Sequence, residues 1–292
     1  MNDIFTLDNS TLLRYQGDLE SVCVPEGVTC IAARAFENAT LTALSLPASL
    51  REIQEGAFIG CTALEKVEYA GALTDWCALR FADYTSNPLF FAHDLYLSGV
   101  KAETLLIEAE KINAYAFCGC SASSVTFGEK VCSIGTAAFN DCVSLRTVSL
   151  PANLSFVGEL AFRGCMGLAD IHIQKGLKQV ESWAFFKCEA LTAVYFEGTL
   201  LDWLSISFRD VWANPLSLAH ALYLNGEKVE SLEIPKGVLR IPDAAFAGID
   251  VSTLTLNDVI EVGDVAFYGC LNLTTVIGSP EKVGEGAFAK GE

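Results

Sequence analysis

The dipeptide Ala-Phe recurs at Ala35, Ala57, Ala116, Ala138, Ala161, Ala184, Ala245, Ala266 and Ala287, with adjacent copies 21 to 23 residues apart. A fixed period of this length means that each period supplies one structural unit, and one such unit cannot bury its apolar face alone. Alignment on Ala-Phe exposes a second element in each period: Leu41-Thr-Ala-Leu-Ser-Leu-Pro47, Leu64-Glu-Lys-Val-Glu-Tyr69, Leu145-Arg-Thr-Val-Ser-Leu-Pro151, Leu168-Ala-Asp-Ile-His-Ile173 and Leu191-Thr-Ala-Val-Tyr-Phe196. Their alternation puts every second side chain on one face, as short half-buried strands require, and the proline that follows several of them cannot donate to a ladder. A further short apolar stretch, such as Leu50-Arg-Glu-Ile53 or Phe156-Val-Gly158, leads into the next Ala-Phe turn.

Stacking these units gives a solenoid of parallel strands about 4.8 Å apart, so ten or eleven rungs predict a length on the order of 50 Å. The run Leu46-Pro-Ala-Ser-Leu-Arg-Glu-Ile-Gln-Glu-Gly-Ala-Phe-Ile-Gly-Cys-Thr-Ala-Leu64, echoed at 150–168 and 256–273, resembles the BspA-like class of bacterial leucine-rich repeats. The resemblance covers nearly the whole chain. It implies an α/β repeat solenoid, right-handed and with mainly β rungs, of a kind found in bacterial surface antigens and used for binding rather than for catalysis. It carries over no catalytic residues, because the family pattern consists of packing positions.

Two gaps in the Ala-Phe series, 57 to 116 and 184 to 245, contain segments that match at a constant offset of 127. Asp75-Trp76, Phe81, Asn87-Pro88-Leu89, Ala92-His93, Leu95-Tyr96-Leu97 and Gly99 correspond to Asp202-Trp203, Phe208, Asn214-Pro215-Leu216, Ala219-His220, Leu222-Tyr223-Leu224 and Gly226. Within 1–292, read as a single solenoid, residues 71–99 and 198–226 are therefore duplicated helix-hairpin inserts. Each is expected to hold a short helix around its tryptophan, ended by Asn-Pro because the residue before proline disfavours the helical region, and then a hairpin with a tight turn at Ser98-Gly99 or Asn225-Gly226. The matching Trp, Asn and His sets could form twin pockets. Equivalent packing is the simpler reading: buried indoles, and histidines bonded to loop backbone.

The ends of the stack differ. Residues 1–20 read as a capping hairpin that turns at Asp8-Asn9-Ser10, whereas only Ala-Lys-Gly-Glu follows Phe288. The C-terminal edge, with Val276, Val283 and Phe288, is accordingly expected to be the least stable part or a site of self-association.

A formal charge of -17, from 36 acidic and 19 basic residues, sets the chain against nucleic acid and anionic lipid as partners. No apolar run is long enough for membrane insertion, and the N-terminus lacks the basic start and apolar core of a signal peptide. The expected location is cytoplasmic for the chain as it stands, and the cell surface or medium if a leader has been removed. Of the eleven cysteines, Cys61, Cys120, Cys142, Cys165, Cys188 and Cys270 each stand three residues after the phenylalanine of Ala-Phe. That is the signature of a repeated packing position, so they are expected as buried free thiols.

Signatures for phosphate loops, nucleophile elbows, paired metal histidines and calcium loops are missing from the sequence. With three histidines, two of them in separate rungs, neither a metal centre nor a cofactor is expected. Two carboxylates at a cleft would suffice for a glycosidase, but Glu52, Glu55, Glu159, Glu181, Glu261 and Glu285 are placed mostly in turns, as solvated charge. Binding is expected instead on the outward strand positions, with Glu68, Asp170, His172, Tyr195 and Glu233 as the contacts. The functional reading is a non-catalytic scaffold for protein recognition. The alternatives are a surface adhesin that meets host protein or glycan, and a carbohydrate-active enzyme on a β-solenoid.

Overall fold

The computed structural model describes residues 4–291. The chain winds through about twelve turns, most of them contributing a strand of three to five residues to one face and a two-residue strand to the other. On the first face Ser21–Cys23, Ala43–Leu46, Lys66–Tyr69 and Asp94–Leu97 pair in parallel, with Ala43 opposite Lys66 and Glu68 opposite Tyr96. On the other, Cys30–Ile31, Glu52–Ile53 and Arg80–Phe81 pair in the same sense. Because the side-chain period of a strand is two, this register keeps Leu44, Leu46, Val67 and Tyr69 inside and the intervening residues outside.

The Ala-Phe turns join the two faces and form a third ladder. The residue before Ala adopts a left-handed backbone at Arg34, Leu160 and Trp183 (φ 56°, 59° and 59°), and glycine meets that demand at Gly56 and Gly286. The phenylalanine N–H donates to the alanine carbonyl of the next rung, as from Phe36 to Ala57, Phe139 to Ala161 and Phe162 to Ala184, each at 2.8 Å. Inside, the rings stack. Centroids of Tyr15, Phe36 and Phe58 are 5.2 and 5.0 Å apart, those of Phe117, Phe139, Phe162 and Phe185 are 5.2 to 5.5 Å apart, and Phe246, Phe267 and Phe288 follow at 5.5 and 5.3 Å. The stack is broken only at the two inserts. The repeated cysteines lie beside it as free thiols, and five of the six donate to the carbonyl of the preceding rung's phenylalanine, as Cys61 to Phe36 at 3.0 Å, Cys142 to Phe117 at 3.1 Å and Cys165 to Phe139 at 3.2 Å; Cys120, which follows the first insert, has no such phenylalanine before it.

Each insert is itself a full turn, and the solenoid has about twelve turns against an expectation of ten or eleven with the irregular ones included. The first supplies Arg80–Phe81 to the short-strand face and Asp94–Leu97 to the long-strand face; the second supplies Ser207–Phe208 and Leu222–Leu224. Helices α1 (Leu73–Ala78) and α2 (Leu89–Ala92) lie in the first, α3 (Leu200–Trp203) and α4 (Leu216–Ala219) in the second. The expectation that Asn-Pro ends the tryptophan helix is corrected here: α1 ends at Ala78 and α3 at Trp203, while Asn-Pro closes a separate 3-10 turn, Tyr84–Ser86 or Val211–Ala213, and opens α2 and α4. Asn87 is extended, as a residue before proline prefers, while Pro88 has φ -63° and ψ -22°, already suited to a first helical turn, and Asn87 Oδ1 accepts the Leu89 N–H at 2.9 Å.

Both inserts close on the expected hairpins, Asp94–Leu97 with Val100–Lys101 and Leu222–Leu224 with Glu227–Lys228. Their turns, Ser98-Gly99 and Asn225-Gly226, have positive φ at both residues, the geometry that matches strand twist. The antiparallel second strand ends the long-strand sheet, and a new sheet begins after each insert, at Thr104–Ile107 and at Leu232–Glu233. At the N-terminus Phe5–Asp8 pairs antiparallel with Thr11–Tyr15, and Phe5 packs on Tyr15 at 5.7 Å, extending the ring stack. At the other end Thr275–Ile277 and Lys282–Val283 are edge strands, with Val276, Ile277 and Val283 about half exposed. Of the acids placed in turns, Glu55, Glu159 and Glu285 are found there; Glu52 and Glu261 stand in short strands, because alternation turns them outward beside buried Ile53 and Val262, and they pair with Arg80 and Arg240 at 2.7 and 2.8 Å.

Candidate functional site

The outward positions of the long strands form one row per sheet, so the sheet boundaries decide which candidate residues can meet. Asp170 and His172 lie on Asp170–Gln174, directly beside Ala193 and Tyr195 on Ala193–Glu197. Tyr195 in turn lies opposite Tyr223 on the insert strand Leu222–Leu224. Parallel pairing holds these side chains in line: the His172 and Tyr195 rings stack at 4.6 Å with 11° between planes, and Tyr195 and Tyr223 at 4.7 Å with 26°. The result is an aromatic ladder across three successive rungs, half-buried along its length. Asp170 stands at its foot, also half-buried, and its carboxylate joins no ion pair among the described residues.

Tyr223 was not among the residues expected from the sequence. The signal was present in the offset of 127, which equates Tyr223 with Tyr96 and Tyr195 with Glu68.

Glu68 and Glu233 are not brought to the ladder. Glu68 belongs to the first long-strand sheet, Glu233 to the one that begins after the second insert. Glu68 is occupied within its own rung: its Oε1 accepts the Gly99 N–H of the hairpin turn at 2.6 Å, and Lys66 Nζ lies 3.3 Å from its Oε2 and 4.2 Å from the centre of the Tyr96 ring. Glu233 is exposed and accepts from Asn257 Nδ2 at 3.3 Å. Beside the ladder, His172, Tyr195, Phe196, Glu197, Asn225 and Gly226 line a shallow hollow.

The duplicated Trp and Asn are packing elements, and of the two histidines His220 also lines a hollow with Gly248, Asp250, Leu271 and Asn272. Trp76 and Trp203 are fully buried and their indoles donate to the Ala116 and Ala245 carbonyls at 2.7 and 2.8 Å. Asn87 and Asn214 donate to the same carbonyls at 3.0 Å. His93 and His220 each place Nδ1 2.7 Å from a glycine carbonyl, Gly119 and Gly248.

Burial disfavours the thiolate of the repeated cysteines: it pushes Cys61 up to about 11 and Cys120, Cys188 and Cys270 up to about 12. Among the described residues no group of three or more His, Cys, Asp or Glu side chains could hold a metal ion, and no helix is long and apolar enough to cross a membrane.

A search of curated protein sequences finds no match. Among solved structures, a leucine-rich-repeat protein from Bacteroides ovatus is 22% identical with a TM-score of 0.53, over 99% of this chain and 77% of that one. A leucine-rich-repeat protein from Eubacterium ventriosum is 18% identical with a TM-score of 0.50, over 94% of this chain and 65% of that one. A leucine-rich cell surface protein from Faecalibacterium prausnitzii is 19% identical with a TM-score of 0.42, over 94% of this chain and 93% of that one. The family model for the BspA-type leucine-rich repeat region matches residues 9–93, 96–212 and 217–292. With the repeat, the stacked rings and this match across almost the whole length in agreement, the chain belongs to the BspA-type leucine-rich repeat family.

Proposed function

We propose that this protein is a non-catalytic recognition scaffold, and that it binds a protein partner on the face carrying His172, Tyr195 and Tyr223. The observation that supports this reading is the aromatic ladder itself, three rings fixed in register on consecutive rungs. Rigid aromatics supply contact area at low entropic cost, and Tyr is enriched among the residues that dominate protein interfaces. The stacking also favours protein over glycan. Sugars pack on open ring faces, but both faces of Tyr195 are covered by its neighbours, so the ladder offers ring edges and hydroxyl groups. The adhesin variant of this reading uses the same face toward a host protein. Against a glycosidase, Glu52 and Glu261 are tied into ion pairs with arginine.

The test is affinity capture with three immobilised proteins: wild type, the double variant Tyr195→Ala/Tyr223→Ala, and Trp183→Ala, which removes an aromatic exposed on the turn edge. A partner retained by wild type and by Trp183→Ala but lost from the double variant is the expected result. Equal retention by all three, with unchanged circular dichroism, would place recognition elsewhere.

A further inference from the structure

The two inserts are copies of one design, and they differ where the ladder meets the hairpin turn. In the first copy the turn's Gly99 N–H points out of the hairpin and is taken by Glu68 Oε1 at 2.6 Å. In the second copy the residue at the place of Glu68 is Tyr195, and the turn's Gly226 N–H has no partner among the described residues. The backbone at the two turns is alike, with φ 51° and 78° at Ser98-Gly99 against 49° and 88° at Asn225-Gly226. Replacing the glutamate with a ring stacked between His172 and Tyr223 leaves a hollow lined by His172, Tyr195, Asn225 and Gly226 where the first copy holds a carboxylate.

From this internal template we infer that the hollow beside Tyr195 takes a carboxylate from the ligand, an acidic side chain of the protein partner, seated on the Gly226 N–H as Glu68 is seated on Gly99. The inference rests on the recognition reading above and names the chemistry of that same face. Three features agree with it. A backbone N–H bonded to a carboxylate makes a charge-assisted hydrogen bond, stronger than a neutral one. The edges of aromatic rings carry the positive part of their quadrupole, so the edge-on ladder of Tyr195 and Tyr223 favours an anionic oxygen alongside. Lys228, opposite Tyr223 in the hairpin register, puts an ammonium at the ladder's open end, where Glu230 lies 3.5 Å from it and shares its charge. Glu197 also lines the hollow, is exposed, and opposes an incoming anion. Its carboxylate does not bond to Gly226 among the described residues, and its removal therefore strengthens binding.

The experiment is a nuclear magnetic resonance titration of the full chain with the peptide acetyl-Gly-Glu-Gly-amide, against acetyl-Gly-Gln-Gly-amide at matched ionic strength. The Gly226 amide proton is expected to move downfield and to saturate with the glutamate peptide, at a midpoint on the order of 10 mM, the scale of one charge-assisted hydrogen bond, while Gly99 stays still. Glu197→Gln should lower the midpoint. Tyr195→Glu, which restores the arrangement of the first copy, should shift Gly226 without ligand and abolish the titration. Glu68→Ala should make Gly99 respond. An unresponsive Gly226 in both wild type and Glu197→Gln, or an equal response to the glutamine peptide, overturns the carboxylate. The titration needs no protein partner, so its failure beside a capture that still depends on Tyr195 and Tyr223 would leave the recognition reading standing.

Discussion

The indole Nε1 of Trp76 donates to the backbone carbonyl of Ala116 at 2.7 Å, and forty residues of chain separate the two. In a regular rung that carbonyl receives the N–H of the preceding phenylalanine, as Ala57 does from Phe36. The insert has no Ala-Phe turn, so a side chain takes over the backbone's role, and the second copy repeats the arrangement from Trp203 to Ala245. The duplicated tryptophans thus join an irregular turn to the regular stack that follows it.

Because Asn214 Nδ2 also donates to the Ala245 carbonyl, either donor alone keeps that buried group satisfied. Trp203→Phe and Asn214→Ala should each destabilise, and the double variant should exceed their sum by about 1 to 3 kcal/mol, the cost of a buried carbonyl left unmade. A denaturant-based double-mutant cycle measures the excess. Simple additivity would mean that the carbonyl is hydrated and the indole bond dispensable.

The position of each ring in the stack sets what its loss costs. Phe162 is fully buried between Phe139 and Phe185, so Phe162→Ala should cost about 3 to 5 kcal/mol through cavity formation. Phe288 is partly buried and stacks only on Phe267, so Phe288→Ala should cost about 1 kcal/mol or less. Equal losses in urea unfolding would contradict the stack as the principal interior element.

Alkaline pH should unfold the protein. Burial raises Cys61 to about 11 and Cys77, Cys118, Cys120, Cys188 and Cys270 to about 12. These thiols stay protonated in the fold, whereas the unfolded chain loses its protons from about pH 9 upward. Above that pH the unfolded state holds fewer protons, so stability that is complete below about pH 8 falls as pH rises, by about 1.4 kcal/mol per pH unit for each thiol. Cooperative loss of circular dichroism near pH 10 is expected. At pH 8 a thiol reagent should reach only Cys23, Cys30 and Cys132 in the native protein and all eleven after unfolding. Stability that stays level from pH 8 to 10 would show that the thiols are not excluded from water.

The two ends of the solenoid should differ in hydrogen exchange. The amides of Thr275–Ile277 and Lys282–Val283 lie on edge strands with half-exposed side chains, while the N-terminal hairpin is tied into the ring stack through Phe5 and Tyr15. The C-terminal strands should exchange first in dilute protein. If their protection rises with protein concentration, that edge self-associates. Exchange as slow as at Ile171 would mean that the turns around Phe288 cap the stack fully.

The repeat frame, the buried row of phenylalanines and cysteines, the outward row of strand residues and the duplication at offset 127 are all legible in the order of the residues alone. These follow from periods of two and of about 22 residues, and a period fixes which side chains face inward whatever the rest of the chain does. Which outward residues meet is set by the folded chain and not by the repeat. Whether Tyr223 joins His172 and Tyr195 depends on the second insert completing a whole turn, and whether Glu68 is free depends on a hairpin turn 31 residues later coming back to meet it. The same holds for Asn-Pro, which locally reads as a helix stop and here begins α2 and α4 because Asn87 and Asn214 are held extended by the carbonyls they serve in the next rung. Such contacts join residues about 30 apart through loops without periodicity, and the register that brings them together is a property of the stacked molecule.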